Sequence, residues 1–159
     1  MSKYGLKIAR LFGRGLPAFK NQSEAEKRLY RERDDRIKKM VSLAPSSDEF
    51  AADFTPESLK GLELWYFELW ENNGFRKLRT SREDFERNMA MYFFEVAVRN
   101  CPEAEWEVAE YGFEKGKYEI GVVRGRSHLM RSRFTDHFNE RNNKRRQKIY
   151  RSYREHYGG

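Results

Sequence analysis

Residues 80–123 read TSREDFERNMAMYFFEVAVRNCPEAEWEVAEYGFEKGKYEIGVV, and the apolar period changes partway along them. Up to Asn100 the apolar residues recur at helical spacing. Phe85, Met89, Tyr92, Phe93 and Val96 form one stripe, and Met91, Phe94 and Val98 form a second on nearly the opposite side. A helix that is apolar on two sides needs neighbours on both, so this one is expected at the centre of the fold. Thr80 with Glu83 offers a capping box at its start, and Pro102 ends it. Beyond Pro102, two runs rich in β-branched and aromatic residues flank the Gly-containing EKGK, a pattern that predicts a β-hairpin. Trp106 and Val108 share one strand face, as do Tyr118, Ile120 and Val122 in the second strand. The alternation slips after Val108, where Ala109, Tyr111 and Phe113 take over, and that slip predicts a bulge.

Upstream, FTPESLKGLELWYFELWENNGF at 54–75 reads as a second amphipathic helix, with Thr55 as N-cap, Pro56 at the first helical position and NNG as the stop. Leu59, Leu62, Trp65, Tyr66, Leu69 and Trp70 fall in one arc. Leu64 and Phe67 fall outside it, which requires either a second layer or a partner. SEAE at 23–26 offers another capping box, and Leu29, Ile37, Met40 and Val41 follow as a narrow stripe, the mark of a helix lying on a domain. APSSDEF at 44–50 reads as a linker. After RGR the helical spacing returns, as Met130, Phe134 and Phe138, then Ile149, Tyr153 and Tyr157, with Asn142 and Asn143 between.

The fold expected is therefore a helix-dominated α+β protein: two central amphipathic helices, a β-hairpin packed on them, and basic helical segments at both ends. Residues 1–22 are read as a flexible basic arm, 23–43 as an amphipathic helix, and 44–159 as a single α+β domain that includes the basic C-terminal helices. The opening MSKYGLKIARLFGRGLPAFKNQ has no acid and also admits the reading of a transit-like amphipathic segment.

Charge is segregated along the chain. Residues 1–43 carry 12 Lys/Arg against 5 Asp/Glu, residues 44–123 carry 9 against 17, and residues 124–159 carry 11 against 3. A net charge of +7 thus conceals basic ends around an acidic middle, which weakens any direct step from overall charge to nucleic acid. The basic ends can pack on the middle, or two copies can pair head to middle as a homo-oligomer. One cysteine excludes an internal disulfide framework, and no apolar run is long enough for a membrane span, so a cytoplasmic protein without a transmembrane segment is expected.

Little in the sequence carries catalytic chemistry. His128, His137 and His156 lack the spacing and the thiolate or carboxylate partners of a metal site, so no metal is expected. Cys101 continues the Met91, Phe94, Val98 stripe and reads as a packed thiol more than a nucleophile. GRG at 13–15 and RGR at 124–126 lack a phosphate loop's spacing. Glu95, set between apolar stripes, suits either an ion pair with Arg99 or proton transfer. No catalytic residue and no cofactor are assigned, and the protein is not expected to be an enzyme.

Two stretches suggest binding. Glu103, Glu105, Glu107 and Glu110 surround Trp106, which is either a solvated edge-strand face or an acidic docking strip with an aromatic anchor. Arg145, Arg146, Lys148, Arg151 and Arg154 interleave with Tyr150, Tyr153 and Tyr157. That composition supplies phosphate contacts and stacking platforms for nucleic acid. The i, i+4 spacing of Ile149, Tyr153 and Tyr157 equally suits a helix docked on the domain with its arginines in solvent.

The order of a helix bearing Tyr92, Phe93, Phe94 and Glu95 followed by a Trp-bearing strand resembles a group of small uncharacterised bacterial α+β proteins. Their helix carries an aromatic-x-Gly-Glu motif, and here Phe94 stands where Gly is common. The resemblance covers roughly residues 55–123, implies the fold and implies no activity. The function expected is a non-catalytic protein-binding module, immunity- or adaptor-like, with a protein partner ahead of nucleic acid. The alternative is a small RNA- or DNA-binding protein using the C-terminal segment.

Overall fold

A computed structural model describes residues 2–134 and 146–158. The elements are α1 (Lys3–Arg14), α2 (Gln22–Leu43), a 3₁₀ turn (Ala44–Ser46), α3 (Ser58–Glu71), α4 (Arg82–Asn100), β1 (Ala104–Glu110), β2 (Tyr118–Arg124), β3 (Ser127–Met130), α5 (Arg131–Phe134) and α6 (Lys148–Tyr157). This is the helix-dominated α+β class.

Helix α4 is the centre. Phe85, Met89, Ala90, Tyr92, Phe93, Phe94, Val96 and Ala97 are fully buried, so both stripes found in the sequence meet neighbours. Each such aromatic or aliphatic side chain contributes roughly 1.5–3 kcal/mol by leaving water. Aromatic edges tie α4 outward: Phe85 to Trp65 of α3 at 5.0 Å, and Phe93 to Phe134 of α5 at 4.8 Å. The start of α4 lies one residue later than the sequence suggests, because the Ser81 hydroxyl accepts the Asp84 N–H at 3.1 Å. The same holds in reverse for α2, capped by Asn21 onto Glu24 N at 2.9 Å and not by Ser23. Thr55 does act as a cap, accepting from Ser58 N at 3.2 Å, with Pro56 and Glu57 forming a turn ahead of α3.

α2 is not a helix merely laid on a domain. Its buried Ala25, Leu29, Met40 and Leu43 belong to the same core as α3 and α4, and the expected linker contributes Ala44 and Phe50 to it. Phe50 stacks on Trp65 at 5.6 Å and meets the Tyr92 ring edge-on at 5.1 Å.

The hairpin is present, with a third strand added. β1, β2 and β3 form an antiparallel sheet in sequence order. No bulge follows Val108: the register runs unbroken from Ala104 opposite Arg124 to Glu110 opposite Tyr118. The apolar phase shifts because the strand ends at Glu110, and Tyr111 and Phe113 belong to the connecting loop. Directly after RGR the chain forms a third strand before any helix, and Gly125 and Arg126 make a two-residue hairpin turn, with Arg124 opposite Ser127 and Gly125 at φ 60°. Glycine at the first central position is what such a turn favours.

Residues 3–14, expected as part of a flexible arm, form a helix whose N-cap Ser2 accepts from Gly5 N at 3.0 Å. Behind it, Ala18 bridges to Lys117 and Leu16 is buried. Phe67 is buried, and α6 packs on α3 and α4. Phe138, His137, Asn142, Asn143 and Arg145 lie outside the described residues.

Candidate functional site

Among the described residues the exposed large apolar side chains are Tyr4, Ile8, Leu11, Phe12, Val41 and Phe113. Four of the six are on α1. At 100° per residue, Tyr4, Ile8 and Leu11 share one line of the helix and Phe12 borders it. Tyr4 is 75% exposed, Ile8 49% and Leu11 51%, so the stripe faces solvent and not the core. The covered side carries Leu6, Ala9 and Gly13, with Gly5 beside Phe12, each partly or fully covered. Gly13 is buried, and a β-carbon there would lie 2.9 Å from the Tyr111 ring and 2.8 Å from Glu114 Oε2.

Three contacts hold α1 and the turn after it to the β1–β2 loop. The Tyr111 hydroxyl donates to the Ala9 carbonyl at 2.9 Å, the Phe12 and Tyr111 rings lie 5.5 Å apart, and the Lys117 ammonium donates to the Leu16 carbonyl at 2.9 Å. Tyr111 continues to Phe113 at 5.7 Å, extending the apolar patch past the helix. Lys3, Lys7, Arg10 and Arg14 flank the stripe, and the helix has no acid. Helical spacing of Tyr4, Ile8 and Leu11 was the available signal in the sequence; Gly13, Gly15 and Pro17 obscured it.

The acidic strip is largely engaged within the chain. Glu103 pairs with Arg124 at 3.0 Å, Glu107 with His128 Nδ1 at 2.6 Å, and Glu110 accepts the Gly116 N–H at 2.9 Å. Glu105 is exposed. Trp106 is half-buried: its indole N–H donates to Glu95 Oε2 at 3.1 Å and the Arg33 guanidinium lies over its ring at 5.0 Å. Glu95 spends its other oxygen on Arg99 at 3.1 Å. A strip expected to present an aromatic anchor therefore holds that anchor against α2 and α4.

In the C-terminal segment, α6 buries Ile149, Ser152, Tyr153 and Tyr157. Tyr150 is half-buried with the Lys60 ammonium 4.4 Å above its ring. Arg146, Arg151 and Arg154 are exposed, Lys148 is half-buried, and Arg145 lies outside the described residues. The basic and aromatic halves of that composition thus separate, tyrosines inward and arginines outward. Much of the charge segregation closes within one chain, as Arg36 with Asp84 at 3.8 Å and Arg124 with Glu103.

Cys101 is buried, and among the described residues no three of His, Cys, Asp and Glu come together in a metal-ligating group. No helix among those residues is long and apolar enough to cross a membrane.

Comparison with known proteins gives a family without an assigned chemistry. The family described as uncharacterised protein YwmA matches residues 18–157. The uncharacterized protein YwmA of Bacillus subtilis strain 168 is 28% identical over 115 residues, which cover 72% of this chain and 73% of that protein. No solved structure matches. Helix α1 lies ahead of the matched span.

Proposed function

The chain belongs to the uncharacterised YwmA family, and from that premise we propose that it is a non-catalytic protein-binding module that docks through α1 onto a partner protein with an apolar groove rimmed by Asp and Glu. The observation that carries this reading is the outward apolar stripe of Tyr4, Ile8 and Leu11. A surface helix ordinarily turns such a stripe to the core, and large contiguous apolar patches on a surface mark interaction sites. Anchors at i, i+4 and i+7 are the pattern by which a helix lies in a groove of another protein.

Charge complementarity specifies the partner's rim. The four basic residues of α1 with no acid between them favour a negatively charged surround. The same reading leaves α6 a structural role, since Tyr153 and Tyr157 are buried and the Tyr150 ring is covered by the Lys60 ammonium.

The test places a photo-crosslinking residue at Lys7 in cells that make the protein, identifies the captured protein, and titrates the purified pair. Ile8→Asp and Leu11→Asp should each weaken binding about 30-fold or more, as loss of a central anchor does at roughly 2 kcal/mol or above. Unchanged affinity in both variants refutes the reading. So does flotation of the wild-type protein with anionic vesicles combined with no protein capture.

A further inference from the structure

A second feature, independent of α1's apolar face, lies where α2, α4, β2 and α5 converge. There a cavity of about 170 Å³ is lined by four arginines, Arg33 and Arg36 from α2, Arg87 from α4 and Arg131 from α5. Its apolar floor comes from Leu29, Met91 and Ile120. Glu32 and Glu119 also reach it, so four positive charges face two negative ones.

The arginines are unequally satisfied. Arg36 is held by Glu32 at 2.9 Å and by the Asn88 side-chain oxygen at 2.9 Å. Arg33 lies against Asp34 and over the Tyr30 and Trp106 rings, so it contributes its stem. Arg87 reaches Asp84 at 3.6 Å, a carboxylate it shares with Arg36. Arg131 is half-buried and, among the described residues, no hydrogen bond or ion pair engages its guanidinium. Burial first, and then the facing Arg87 and Arg36 charges, push its pKa below the ordinary arginine value. A guanidinium stays charged at neutral pH regardless, so a planar fork of N–H donors borders a partly open space with an excess of positive charge.

We propose that this cavity binds one phosphate-type oxyanion, as inorganic phosphate or as the end group of a small phosphorylated metabolite, held by Arg131 with Arg87 and Arg36. Arginine forks match the oxygen pairs of phosphate, and each such bond is charge-assisted. Size sets the upper limit. The cavity is worth about six waters at ~30 Å³ each and falls below the range of roughly 300–1,000 Å³ in which drug-sized ligands and cofactors sit. A phosphate with a two- or three-carbon stem over Leu29, Met91 and Ile120 matches that volume.

The test is thermal unfolding of the full-length protein at fixed ionic strength, with sodium phosphate replacing sodium chloride. Phosphate raises melting points generally by exclusion from protein surfaces. The readout is therefore the difference between the wild type and variants. The expected result is a saturable rise in Tm for the wild type and for Arg126→Gln, an exposed residue of the β2–β3 turn. The saturable part is lost in Arg131→Gln and reduced in Arg87→Gln. Should Arg131→Gln fail to fold, the half-exposed Arg87 carries the decision alone. Equal rises in wild type, Arg87→Gln and Arg131→Gln overturn the proposal, as does the absence of saturation in the wild type. Parallel titrations with inorganic phosphate and with glycerol phosphate distinguish the sources: tighter binding of the ester assigns a metabolite, and tighter binding of the free ion assigns phosphate itself.

Discussion

Glu63 of α3 accepts the backbone N–H of Lys148 at 2.8 Å, so a carboxylate of the third helix caps the last one across 85 residues of chain. Ile149 N also donates to Glu63 Oε1, at 3.3 Å, and Glu63 is only 1% exposed. Gln147, which precedes α6, has φ 53° and supplies no side-chain cap of its own. The negative charge therefore sits where a helix N-terminus favours it, and a buried acid receives the N–H donors it needs.

Removing that cap should release α6. Glu63→Ala is expected to destabilise the protein by about 1–3 kcal/mol, the cost of leaving buried N–H donors unsatisfied. Glu63→Gln keeps an acceptor and should cost less. Urea unfolding of both variants, with limited proteolysis at the C-terminal segment, checks this. A Glu63→Ala protein as stable as the wild type would remove the cap from the account.

Glu86 makes a second prediction, about pH. Its carboxylate accepts the Tyr66 hydroxyl at 2.6 Å in a buried setting, with Arg82 at 3.5 Å. Burial outweighs both partners and holds its pKa above the usual 4.5. A carboxyl group whose folded pKa is raised binds more protons folded than unfolded between the two values, so its contribution to stability falls as pH rises through that window. Glu86→Gln, which keeps an acceptor for Tyr66 and cannot ionise, should gain on the wild type from about the ordinary glutamate pKa upward. Unfolding free energies of the pair measured across the acidic to neutral range test this; a difference independent of pH refutes it.

For α6, inward tyrosines and outward arginines predict opposite sensitivities. Tyr153→Ala should cost about 3–5 kcal/mol, as aromatic truncation in a core does. Arg151→Gln and Arg154→Gln should each stay within about 0.5 kcal/mol, the range of exposed substitutions. Chemical unfolding of the three variants is the measurement, and a loss in the arginine variants equal to that in Tyr153→Ala would mean that α6 is docked by its charges.

The elements legible in the sequence are those whose own period declares them. Both stripes of α4, the arc of α3 and the alternation of β2 match what the structure buries, because a helix or strand must turn its apolar residues to neighbours. What escaped depended on distant contacts. Nothing local to Glu63 says that it will meet Lys148, and nothing near Arg131 says that Arg36 and Arg87 will face it. β3 escaped because Ser127–Met130 is too short for alternation to be read, and the glycine turn at 125 was its one local mark. The acidic strip was legible as composition; its pairing with Arg124 and His128 follows from sheet register, which composition does not contain.

The last prediction concerns the seat of α1. A residue with a β-carbon at Gly13 meets the Tyr111 ring at 2.9 Å and Glu114 Oε2 at 2.8 Å, closer than real β-carbons approach any atom. Relief requires Tyr111 or the helix to move, and the Tyr111 hydroxyl bond to Ala9 O is one of the contacts that seat the helix. Gly13→Val should therefore lift α1 from the β1–β2 loop while the core around α4 stays closed. Hydrogen exchange is expected to show faster exchange of residues 5–14 by tenfold or more, about 1.4 kcal/mol of lost local protection, with amides of α4 unchanged. Tyr111→Phe, which deletes the bond to Ala9 and keeps the ring, should give a smaller change in the same residues. Slower or unaltered exchange in Gly13→Val would show that α1 is not seated through the close approach of Gly13 to Tyr111.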